Sequence, residues 1–75
     1  MDIDKFIEKL ADQFDDTEPE LFTPDLLFHD LEEWSSLSAL SIIAFVRTEY
    51  GKKITALDIR ACQTVRDLFE MVESK

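Results

Sequence analysis

From Leu37 to Tyr50 the chain carries its most apolar helical stretch, bounded by Ser35 before it and by Gly51, the only glycine, after it. A serine side chain accepts the unpaired N–H groups at a helix start, and glycine takes the left-handed turn that ends one, so the two residues frame a helix. Trp34, just before the cap, is placed to pack on the first turns. Setting successive residues about 100° apart brings Ala39, Ile42, Ile43, Val46 and Tyr50 onto one arc, the expected buried face. Leu37, Leu40 and Ala44 fall outside it. They form a smaller apolar strip beside Ser36, of the kind that tends to be a contact surface.

The rest of the chain is also helical in pattern, and no segment alternates with the period of a strand. Ile3, Phe6, Ile7, Leu10, Ala11 and Phe14 follow one helical stripe, with Asp2 as N-cap and Asp4 in the first turn, which predicts a helix from Ile3 to Phe14. Thr55 to about Ala61 reads as a short capped helix, and Thr64 opens a last one carrying Val65, Leu68, Phe69, Met71 and Val72. Between Asp15 and Trp34 lie two prolines and no sustained period. Because a long structureless connection is unusual in a compact domain, Leu21, Phe22, Leu26, Leu27, Phe28 and Leu31 are expected to pack it down. The expected fold is all-α, a four-helix bundle with three longer helices and one short one, in a single domain over residues 1–75. Ile7, Leu10, Ile43, Val46, Leu68 and Val72 are its expected core, and Lys52 and Lys53 are expected near the negative end of the second helix.

Size and charge narrow the function. A chain of 75 residues must spend most of its apolar side chains on one core, leaving little for a substrate pocket with catalytic apparatus. Its net charge of −9 argues against nucleic acid or an anionic membrane as partner, and favours basic proteins. That charge is uneven: residues 1–33 hold 12 acidic side chains against 2 basic, a balance of −10, and the remainder holds 5 against 6, a balance of +1. A lone cysteine, Cys62, with no basic-then-apolar leader and no long apolar run, points to a cytoplasmic monomer.

His29 and Cys62 supply at most half of a four-ligand zinc site, and the acidic residues lack the spacing of a calcium loop, so no metal is expected. Ser36, His29 and Asp30 contain the residue types of a hydrolytic triad, yet a bundle this small has little means of building an oxyanion hole and substrate cleft around them. The chain is therefore expected not to be an enzyme, and a lone loop histidine is expected to be structural. Local composition accounts for Ser35 and Ser36 as helix-start residues and nothing more. A helix start is, however, also favourable for a phosphate ester, because its free N–H groups and positive dipole end stabilise negative charge.

Ser36-Leu37, an apolar helix closing at Tyr50-Gly51, then Ile54, then Thr64-Val65-Arg66-Asp67-Leu68, with Phe28-His29-Asp30-Leu31 upstream, together resemble the acyl carrier protein family and the similar peptidyl carrier domains. The resemblance covers essentially the whole chain, most clearly residues 28–72, through order, spacing, size and acidity. It implies a four-helix bundle whose Ser36 is esterified by 4′-phosphopantetheine, supplied from coenzyme A by a magnesium-using phosphopantetheinyl transferase. It further implies that acyl intermediates, held as thioesters on that arm, pass between acyl-activating, acyltransferase or ketosynthase-type enzymes of fatty-acid or polyketide biosynthesis. Leu37, Leu40 and Ala44 would then be partner-binding.

The chain departs from the family pattern in three places. Ser35 stands where the family has an aspartate that helps engage the transferase, Glu32-Glu33-Trp34 stands where many members have a glycine-containing turn, and the second helix carries Ser41, Arg47 and Thr48 outward with Glu49 its only acid. These departures imply partners other than a standard fatty-acid synthase. A second reading stays open, a non-covalent helical interaction module derived from a carrier that lost its arm together with the aspartate at position 35.

Overall fold

The computed structural model describes residues 2–75. Among the described residues four α-helices order the chain: α1 (Ile3–Ala11), α2 (Ser36–Tyr50), the short α3 (Ala56–Arg60) and α4 (Val65–Glu73). The fold is an all-α bundle of three longer helices and one short one. No helix among the described residues is long and apolar enough to cross a membrane.

Each helix starts where the sequence places a cap. Asp2 Oδ1 accepts the Asp4 N–H at 2.9 Å. Thr55 and Thr64 each accept the N–H of the aspartate three residues on, Asp58 and Asp67, whose carboxylates accept the threonine N–H in return. These reciprocal boxes satisfy donors that a helix start otherwise leaves open. At the far end of α2, Gly51 turns left-handed at φ 65° and donates its N–H to the Arg47 carbonyl at 3.0 Å. A Cβ there would meet no atom within 4 Å, so glycine is favoured by backbone conformation rather than by space.

α1 stops three residues earlier than its stripe predicts. Gln13 and Phe14 donate to the carbonyls of Leu10 and Ala11, three residues back, at 3.0 Å each. Tightening the last turn in this way occupies helix-end carbonyls and carries Phe14 into the core.

α2 is rotated from its expected setting. Ile42, Phe45 and Val46 are its buried residues, whereas Ala39, Ile43 and Tyr50 are only half-buried. The cause is tertiary: Phe45 completes an aromatic cluster around Phe6, whose ring lies 5.7 Å from Phe45, 5.4 Å from Phe69 and 5.9 Å from Tyr50. That cluster joins α1, α2 and α4. Leu10, Val46, Leu68 and Val72 are buried as expected, while Ile7 as well as Ile43 sits at the core margin.

The long connection is packed down, through single 3-10 turns at Pro19–Leu21 and Phe28–Asp30. Its Phe22 and Phe28 are buried and Leu26 and Leu31 half-buried, whereas Leu21 and Leu27, expected to pack as well, stay exposed because the two aromatics fill the contact with the core; a second aromatic cluster sets Phe14 5.3 Å from Phe22 and Trp34 5.1 Å from Phe28. Trp34 thus anchors the loop as well as preceding α2. Val65 and Arg66 donate their N–H groups to the carbonyls of Leu26 and Pro24 at 3.1 and 2.9 Å, pinning the loop to the start of α4. Lys52 reaches the Glu73 carbonyl at 3.2 Å, so it serves the end of α4 and not that of α2.

Candidate functional site at the start of α2

Ser36 is the first residue of α2, and it is exposed. Among the described residues its hydroxyl has no hydrogen-bond partner, because the capping falls to its neighbours. Ser35 Oγ accepts the Ser38 N–H at 3.4 Å, a long bond, and Ser38 Oγ donates to the Glu33 carbonyl at 3.1 Å. No acidic side chain stands in the first turn of α2, whereas α1, α3 and α4 have Asp4, Asp58 and Asp67 there. The positive end of the longest helix dipole is left to hydroxyls alone.

Ser36 opens onto a cleft of about 510 Å³. Ala39, Leu40 and Ile43 of α2 form one wall, and Ala56, Ile59 and Arg60 of α3 form the other, with His29, Trp34 and Ser35 at the loop end. His29 ties its loop end to α3. The Nε2–H donates to the Cys62 carbonyl at 3.0 Å and approaches the Ile59 carbonyl at 3.3 Å; both partners are acceptors, so the proton sits on Nε2. The imidazole also packs 4.3 Å from the Phe28 ring and edge-on to Trp34 at 4.9 Å. His29 therefore clamps the end of α3 to the loop, a structural role.

This clamp bears on both chemistries the residue types raise. His29 Nε2 is engaged by carbonyls, and no hydrogen bond joins it to Ser36 or Asp30 among the described residues. Cys62 meets His29 through its carbonyl, while its buried Sγ lies 3.3 Å from the Asp58 carbonyl, and burial pushes the thiol pKa up, with Asp67 and Asp58 adding to the shift. No group of three or more His, Cys, Asp or Glu among the described residues is disposed to hold a metal ion.

Leu37, Leu40 and Ala44, the strip expected beside Ser36, are all exposed: Leu37 at 74%, Leu40 at 59% where it lines the cleft, and Ala44 where it also borders a shallow groove with Gln13, Ser41 and Phe45. What sequence reasoning misses is the part played by α3, which supplies Ala56, Ile59 and Arg60 to the cleft and leaves Leu57 73% exposed beside them. A helix of five residues is too short to display a stripe; Leu57, two residues after the Thr55 cap, is its one signal.

The charges are disposed around this cleft in a definite way. Glu49, the only acid of α2, is bound to Lys9 of α1 at 2.8 Å, which raises the lysine pKa. Asp58 accepts from the Thr55 backbone and from Lys75, and both hold its carboxyl below the usual value. Arg47 and Arg60 have no carboxylate within ion-pair distance among the described residues. Five of the 17 acidic residues, Asp16, Glu18, Asp30, Glu32 and Glu33, line a separate groove of about 540 Å³. Comparison with family models, with curated proteins and with solved structures finds no match to this chain.

Proposed function

We propose that the chain is an acyl carrier protein with 4′-phosphopantetheine on Ser36. One observation carries this reading: among the described residues, an exposed serine hydroxyl, free of hydrogen bonds, stands on the only helix start without an acid and at the mouth of a largely apolar cleft. The residues present fit the group. A phosphodiester on Ser36 Oγ would lie beside the free N–H groups of the first turn and the positive end of the α2 dipole, with no first-turn carboxylate to repel it. Bound there, the arm supplies a thiol on which acyl groups are held as thioesters.

The chain's own residues position that attachment point. Ser35 and Ser38 take up the capping, which leaves Ser36 free to face outward; Trp34 and His29 hold the loop beneath it; Leu40 and Ile43 continue the apolar surface away from it. Chemistry on the cargo belongs to partner enzymes.

Incubation of the unmodified chain with coenzyme A, magnesium and a broad-specificity phosphopantetheinyl transferase tests the proposal by intact mass. One phosphopantetheine is added to wild type and none to Ser36→Ala, and Ser35→Asp, which restores the family acid, is modified faster. If wild type stays unmodified with several transferases while Ser35→Asp accepts the arm, the covalent reading is wrong and the non-covalent interaction module replaces it.

A further inference from the structure

Of the large hydrophobic side chains that remain exposed, Leu37, Leu40 and Leu57 lie on the two helices that wall the cleft. Ser36, Leu40, Ile43 and Arg47 recur at the spacing of a single helix stripe, and Arg60 stands three positions after Leu57, so arginines end both walls. Residues 36–60 hold 4 basic side chains against 2 acidic, and both acids, Glu49 and Asp58, are already paired with Lys9 and Lys75. A chain of net charge −9 thus presents free guanidinium groups beside its exposed leucines. Guanidinium is weakly hydrated and matches carboxylate geometry, so it suits the rim of an apolar contact better than a solvated surface requires.

We propose that the α2–α3 face docks an acidic amphipathic helix of a partner protein, whose apolar stripe seats along the cleft while carboxylates on its margins pair with Arg47 and Arg60. A basic partner is repelled here and drawn to the groove of Asp16, Glu18, Asp30, Glu32 and Glu33 instead. The inference goes beyond the covalent reading, because it needs only the folded chain.

Two amphipathic helical peptides with the same leucine stripe, one flanked by glutamates and one by lysines, test it by amide chemical-shift mapping on the unmodified protein. The glutamate peptide moves the resonances of Leu40, Ile43 and Arg60, and the lysine peptide moves those of Asp16 and Glu33. Arg47→Glu with Arg60→Glu weakens the glutamate peptide by about fivefold or more at physiological salt. A glutamate peptide that leaves the α2–α3 face unmoved, a lysine peptide that moves it equally, or a double variant that binds the glutamate peptide as well as wild type overturns the proposal. Since Ser36 is unmodified throughout, none of these outcomes bears on whether it accepts an arm.

Discussion

The starts of α4 and α2 solve the same problem in different ways. At α4, Asp67 accepts the N–H groups of both Gln63 and Thr64 at 3.2 Å while Thr64 caps in return, so the helix start is closed by a carboxylate. At α2 a single 3.4 Å bond from Ser38 to Ser35 does the capping, and the next residue's hydroxyl is left free. The chain carries 17 acidic residues and spends one in the first turn of every helix except the longest. An acid there would favour the helix by roughly 0.3–1 kcal/mol, so the start of α2 forgoes a stabilisation that the other three helix starts have.

The widest gap between the two regions lies in packing. Leu68→Ala, which empties a fully buried site behind the α4 cap, costs about 2–5 kcal/mol in urea unfolding, whereas Leu40→Ala on the outer face of α2 changes stability by no more than about 0.5 kcal/mol. Equal losses would show that the α2 face is core after all. Capping separates the regions less: Thr64→Ala costs about 1 kcal/mol and Ser35→Ala about 0.5 kcal/mol, and Ser35→Asp stabilises. A destabilised Ser35→Asp variant would break the claim that an acid is tolerated there.

The smallest expected effect is in acid. Backbone N–H groups hold the carboxyls of Asp58 and Asp67 below their ordinary value, with Lys75 also acting on Asp58. A depressed folded pKa means that the contribution is complete above the unfolded value of about 3.9 and is lost as pH falls through the folded value. Below about pH 4, amide exchange therefore rises first at the starts of α3 and α4. The Ser35 cap, which has no carboxylate to titrate, gives α2 no such step; one appearing at Ser36–Ser38 would undo the contrast.

Helix starts were legible in the sequence because capping is local: Asp2, Ser35, Thr55 and Thr64 each act within three residues of themselves, and Gly51 needs only its own φ. What needed the structure was set by contacts far apart in sequence. The rotation of α2 follows from Phe6 and Phe69 drawing in Phe45, and apolar residues on several sides of that helix left its arc ambiguous. Lys52 chose the α4 carbonyl over its own helix end for the same kind of reason. At the site, Ser36 and Leu40 could be read from helical spacing, but the opposite wall of the cleft could not. Its residues come from α3, which His29 joins across an interval that no local pattern spans.

Fragmentation mass spectrometry of the protein isolated from its own cells decides whether Ser36, free at the start of α2, carries the proposed arm. The expected result is a phosphopantetheine mass on the peptide spanning Trp34 to Arg47, with fragment ions assigning it to Ser36 and leaving Ser35 unmodified. A peptide found only in its bare form, or carrying the mass on Ser35, would contradict it.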